Sequence, residues 1–205
     1  MHLSGLPAAS AAALNDVWKL YYHSPDDDDW RLESYVSIGV VSSIGDFWTV
    51  VNTIRPWMRD GMFFFMREFV QPVWDDPAVI DGGCFSVRVP REHAPEALVD
   101  MMIAAAGETL LAEAARDRWD MVCGISISPK NSFNVIKVWL SEGDAPPESQ
   151  VWMPACRTKD VFFSMFRESI IRSKKPLPEA AAEPHAVAAD HASVAAEPSA
   201  VTTAP

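Results

Sequence analysis

The chain is 205 residues long, carries a formal net charge of -11, and is 49% hydrophobic. That length suits one domain with a sizeable core. The acidic balance excludes a long nucleic-acid track but leaves room for a small anionic ligand held by a few local basic side chains.

In chain order, 17–23 (VWKLYYH) reads as a strand, followed by the turn-like SPDDDD and an exposed Trp30. A second strand is expected at 34–41. Ser43 and Asp46, in capping-box register, predict a short helix over 43–54. A strand at 62–68 feeds EFVQPVWDDPAVIDGG, where Pro72 and Pro77 bracket Trp74 and make it a loop residue. Over 84–89, Phe85, Val87 and Val89 alternate with Cys84, Ser86 and Arg88.

The Ala-, Leu- and Glu-rich segment 95–119 predicts the longest helix, at about six turns. CGISISPK opposes Ile125 and Ile127 to Ser126, Ser128 and Lys130. FNVIKVWL sets Ile136, Val138 and Leu140 against Phe133, Val135, Lys137 and Trp139. A last helix is expected over 155–173, with Val161, Phe162, Met165, Phe166 and Ile170 as its apolar stripe. The fold class is α+β: a single curved antiparallel sheet with helices packed on its convex face, its concave face lining a cavity. Residues 1–16 are expected to be a flexible N-terminus, 17–178 the domain, and 179–205 a disordered Ala/Pro-rich tail. From Pro176 onward the acids Glu179, Glu183, Asp190 and Glu197 face no Lys or Arg, which leaves -7 for the remainder.

Three cysteines, Cys84, Cys123 and Cys156, lack CxxC or metal-ligand spacing and make a poor disulfide framework, so a reducing, cytoplasmic setting is expected. No stretch approaches the ~18 uninterrupted apolar residues of a membrane helix, and no membrane partner is expected. The run Asp26 to Asp29 reads as a solvated loop rather than a magnesium site. The histidines are scattered and no nucleophile has an evident base, so neither catalysis, nor a metal, nor a cofactor is expected. Trp18, Trp119 and Trp152 carry no assigned role.

Four blocks in order, WKLYYHSPDDDDW, GDFWTVVNTIRP, QPVWDDPAVIDGG and VCGISISPKNSFNVIKVW, resemble the translation initiation factor 4E family of messenger-RNA cap-binding proteins, from about Trp18 to Pro178. The resemblance implies a cap pocket on the concave side, where Trp30 and Trp74 sandwich the 7-methylguanine of the 5′ cap. A cationic base between two indoles gains stacking and cation–π attraction. Asp75 is placed to accept the N1–H and N2–H₂ edge of guanine. The family usually has glutamate there, one methylene longer, and Asp76 is the fallback. Trp139 matches the tryptophan that borders the N7-methyl group.

Where the family generally has basic phosphate ligands, this chain has Cys84, Lys130, Ser132 and Val135, and only Lys130 keeps its charge. Lys137 and Arg88 are expected to compensate. These substitutions suggest a divergent member of kinetoplastid type. The insert at 141–150 and the residues Arg157 and Lys159 are candidates for contact with nucleotides beyond the cap.

The resemblance also implies a helical partner segment docked on the convex face at Ile44, Trp48, Val99, Asp100 and Ile103. The His-Pro pair often found before the first strand is absent. The expected partners are capped mRNA and a scaffold or repressor protein. The expected function is to bind the cap and recruit the message for translation initiation. Two alternatives are a cap-sequestering repressor and a metal-dependent nucleotide-processing enzyme.

Overall fold

The computed structural model describes residues 12–146 and 161–174, which lie within one compact unit. The expectations for Trp152, Cys156, Arg157, Lys159, most of the N-terminus and the Ala/Pro-rich tail fall outside these residues.

Alternation of apolar and polar side chains dictates the sheet. Strands β1 (Ala13–His23), β2 (Val36–Ser43), β3 (Met62–Arg67), β4 (Gly83–Pro90), β5 (Val122–Pro129), β6 (Phe133–Leu140) and β7 (Phe162–Met165) form one sheet in the order β2-β1-β3-β5-β6-β4-β7. Every pairing is antiparallel. Trp18, Leu20, Phe63, Phe65, Phe85, Val87, Ile125, Ile127, Ile136 and Val138 point into one large core. Their alternates Tyr21, Phe64, Met66, Cys84 and Trp139 form a smaller cluster, which strand periodicity assigns to the opposite face.

Helix α1 (Ile44–Ile54) contributes Phe47, Val50, Val51 and Ile54 to the large core, and α2 (Ala94–Ala106) contributes Leu98, Met101, Met102 and Ala105. Both therefore cover the same face. Helix α3 (Phe166–Lys174) differs, because its Phe166 joins the smaller cluster.

The capping box forms as the sequence implies. The Asp46 N–H donates to Ser43 Oγ at 3.1 Å, and the Ser43 N–H donates to Asp46 Oδ2 at 3.0 Å. The Ser43 hydroxyl leads the hydrogen bonds that hold the Asp46 carboxyl below its ordinary range. Ser43→Ala is expected to lower stability by about 1 kcal/mol. Thermal unfolding should register this as a fall of roughly 2–4 °C.

Two expected elements are corrected. The helix predicted over 95–119 ends at Ala106. Glu108 adopts φ 55, and the Thr109 and Glu108 N–H groups donate to the Ala104 and Ala105 carbonyls at 2.8 and 3.1 Å. That is a Schellman stop, with Glu108 in the left-handed position that glycine usually takes. A 3-10 stretch, interrupted at Arg118, follows over Glu113–Met121.

Of the helix predicted over 155–173, residues 155–160 lie outside the described residues; among the described ones 162–165 form β7 and helix begins at Phe166. This strand pairs with the edge of β4, from Gly83↔Met165 to Ser86↔Phe162. Unpaired N–H and C=O groups on that edge favour an added strand over helical propensity.

Candidate functional site

The loop between β3 and β4 carries Trp74 and Asp75, and Asp76 builds it. The Asp76 carboxylate accepts the Gln71 N–H at 3.2 Å and the Ala78 N–H at 2.8 Å, while its carbonyl accepts from Val79 and Ile80. Asp76 is thus buried and occupied by its own loop, which removes it as a fallback for reading a base. Asp75 is exposed and has no hydrogen-bond partner among the described residues. Adjacent acids have separate tasks: one shapes the loop and the other is left to face solvent.

Trp74 is half-buried. Its ring tilts against Phe166, with centroids 6.3 Å apart, and the Lys137 ammonium lies 5.0 Å from its centroid. Trp139 occupies the expected face of β6 and donates from Nε1 to Ser126 Oγ at 2.9 Å. Phe166 packs 4.8 Å from it and leaves it 1% exposed. The expectation that Trp139 borders a ligand directly is therefore corrected. In this arrangement Phe166 lies over it, and the indole has no free surface to offer.

Trp30 is 53% exposed and stacks on His23, with centroids 4.6 Å apart and planes 5° from parallel. The two tryptophans do not stack on each other. His23 is fully buried, and its Nδ1 and Nε2 each lie 2.8 Å from a carbonyl oxygen, of Ser24 and Asp29 respectively. A doubly protonated ring donates to both carbonyls, whereas a neutral ring donates to only one. The Asp29 carboxylate engages Arg31, which holds its carboxyl down at about 2. Asp27 accepts the Asp29 N–H at 2.9 Å. The acidic run thus serves its own turn, and among the described residues no group of three His, Cys, Asp or Glu is arranged to hold a metal ion.

Tyr35 packs against β1 and β3. Its ring tilts against His23 at 4.7 Å and meets Phe64 edge-on at 5.2 Å. Burial raises its phenol well above the ordinary range, and the charge on Asp75 raises it further.

Of the basic candidates, Lys137 pairs with Ser86 on β4 and Ser126 on β5. Arg88 is exposed, with its guanidinium 5.0 Å from the Phe133 ring centroid. Lys130 is exposed in the β5–β6 turn, and its carbonyl accepts from Arg91 at 2.9 Å. Ser132 is exposed and Val135 half-buried beside them. Cys84 is buried, its sulfur 3.7 and 3.6 Å from the hydroxyls of Ser86 and Ser164. Arg88 and Lys137 thus share the sheet face that alternation assigns them.

The profile of the family described as eukaryotic initiation factor 4E matches residues 13–153. The chain belongs to this family. It is 24% identical over 182 residues to eukaryotic translation initiation factor 4E-1 of Prunus domestica, covering 82% of this chain and 75% of that one. It is 30% identical over 126 residues to factor 4E-4 of Caenorhabditis elegans, where the match covers 60% of this chain and only 56% of the relative. The fold is shared with the schistosome factor 4E solved with m7GpppG and 4E-BP, with a TM-score of 0.63, 20% identity, and 80% and 93% of the two chains covered. It is shared equally with C. elegans factor 4E-3 solved with Mextli and a cap analog, with a TM-score of 0.62, 16% identity, and 78% and 95% covered.

On the helical face of this divergent initiation factor 4E chain, Ile44, Trp48 and Ile103 are 42%, 42% and 43% exposed, and Asp100 is exposed. Val99 is corrected: it is buried in the large core and offers a partner no surface. His23, Tyr35 and Phe166 have no role in the sequence reading. There Phe166 stands only in the apolar stripe of the last helix, and His23 and Tyr35 only within expected strands.

Proposed function

We propose that this chain binds the 7-methylguanosine 5′ cap of messenger RNA in the cytoplasm and recruits it, through a protein partner on the helical face, to translation initiation. The observation that carries this reading is the pairing of Trp74 with an unengaged Asp75 on a loop whose neighbouring acid is already committed to structure. Family membership and the cap- and partner-bound states of the schistosome and C. elegans proteins support it.

In this reading Trp74 and Trp30 are the plates for the base. Asp75 accepts the guanine edge, and Lys130, Lys137 and Arg88 attract the phosphates. Trp139 backs the site through Phe166. The module spans 17–178, and recognition rather than turnover is its task. The test is calorimetric titration with 7-methyl-GTP and GTP: saturable binding that prefers the methylated ligand is expected, and equal affinities would refute the reading.

Arg88→Ala is expected to weaken 7-methyl-GTP about three- to fivefold, the range of an exposed charge pair, while leaving phosphate-free 7-methylguanosine unchanged. Equal loss for both ligands would remove Arg88 from the phosphate set. On the other face, Trp48→Ala truncates an exposed indole that serves as an anchor in this reading. Scaffold pull-down should fall at least tenfold with cap affinity intact, and parallel loss of both would contradict separate surfaces.

A further inference from the structure

Lys137 is placed where a triphosphate ligand alone does not require it. Its ammonium lies 5.0 Å from the Trp74 ring centroid. The cross-strand neighbours Ser86 and Ser126 are polar but uncharged. No ion pair involves Lys137 among the described residues. The contact recorded for this cation is with the face of the indole, whose quadrupole attracts it.

A guanine methylated at N7 is itself a cation and draws on the same quadrupole. Where base and ammonium share the ring, two like charges compete for one indole. An unmethylated, neutral guanine meets no such competition. The phosphates of either ligand gain from a nearby ammonium, so the effect of Lys137 on the base and its effect on the phosphates have opposite signs. Arg88 lacks this duality, because its guanidinium lies over Phe133 rather than over a proposed platform.

We propose that Lys137 is a specificity-determining residue of this site: a resident cation on Trp74 that narrows the preference for a methylated over an unmethylated base while attracting the phosphate chain. This rests on the reading of Trp74 as the base platform. A chain with Lys137 binds methylated caps less selectively than its tryptophans alone would allow, and depends more on the phosphates.

The experiment is calorimetric titration of the full chain with 7-methylguanosine, 7-methyl-GTP and GTP, for wild type, Lys137→Met and Lys137→Arg. The methionine variant keeps the aliphatic stem and removes the charge; the arginine variant keeps the charge. Lys137→Met should bind 7-methylguanosine roughly fivefold more tightly. It should bind GTP more weakly, so that the ratio of 7-methyl-GTP to GTP affinity widens. Lys137→Arg should stay near wild type on all three ligands.

Unchanged or weaker binding of 7-methylguanosine by Lys137→Met, with a thermal midpoint near wild type, would overturn the proposal. A methionine variant that unfolds early leaves Lys137→Gln to give the same reading. Failure of the underlying platform looks different: wild type itself would show no methyl preference, and Trp74→Ala would change nothing.

Discussion

Trp74→Ala should reduce the affinity for 7-methyl-GTP by about ten- to a hundredfold and abolish most of the preference over GTP. Base–aromatic stacking is worth about 1–3 kcal/mol. A desolvated cation on an indole adds up to about 2 kcal/mol. The second contribution exists only for the methylated base, so the mutation removes selectivity as well as affinity.

The truncation is separable from misfolding. Trp74 is only half-buried and belongs to the fringe of the smaller cluster rather than to the large core. Trp57→Ala is the control, since that indole is 67% exposed and lines a cavity of about 400 Å³ with Ile38, Ile54 and Phe63, next to α1. Calorimetry should find its cap affinity unchanged. A Trp74→Ala protein that kept wild-type selectivity would remove this loop from base recognition and leave Trp30 as the only exposed plate.

What the sequence made legible depended on how local the cause was. The α1 capping box lies within four consecutive residues, and the strand alternation within eight, so both could be read directly. The end of α2 is equally local, yet it is hidden because glutamate rather than glycine occupies the left-handed position. β7 could not be read from its own residues: its conformation answers an unpaired edge of β4, nearly eighty residues earlier in the chain.

The site divides in the same way. The loop placement of Trp30, Trp74 and Asp75 was legible because prolines and an acidic run mark those segments. The burial of Val99 was not, since helical spacing alone cannot tell an anchor from a core residue at the edge of the buried stripe. Neither was the position of Phe166 against both Trp74 and Trp139, which requires knowing that α3 leaves the large core to the other helices.

Gly82→Ala should then damage the site without touching any residue proposed to contact ligand. A Cβ at Gly82 would lie 1.9 Å from the Leu140 carbonyl oxygen and 2.6 Å from the Ser141 carbonyl carbon. These are backbone atoms at the end of β6, so no side chain can rotate away. The same residue donates its N–H to Val79 and accepts from the Phe166 N–H at 3.1 Å. Displacing it shifts the end of the Trp74 loop and the first residue of α3 together, and Phe166 is the side chain on which Trp74 rests. Overpacking of this kind costs about 1–3 kcal/mol, or a fall in melting temperature of roughly 3–10 °C.

Cap affinity should fall several-fold at temperatures where the variant is still folded. The contrast is Gly39→Ala on β2, where the added methyl would sit 3.7 Å from Val50 Cγ2, an ordinary contact. That variant should match wild type in both melting temperature and affinity. If Gly82→Ala also matched wild type in both, the close passage of this loop against β6 would not be what holds Trp74 in place. If it melted early but bound normally when folded, the glycine would serve the sheet alone, and Asp76 would be left as the organiser of the loop.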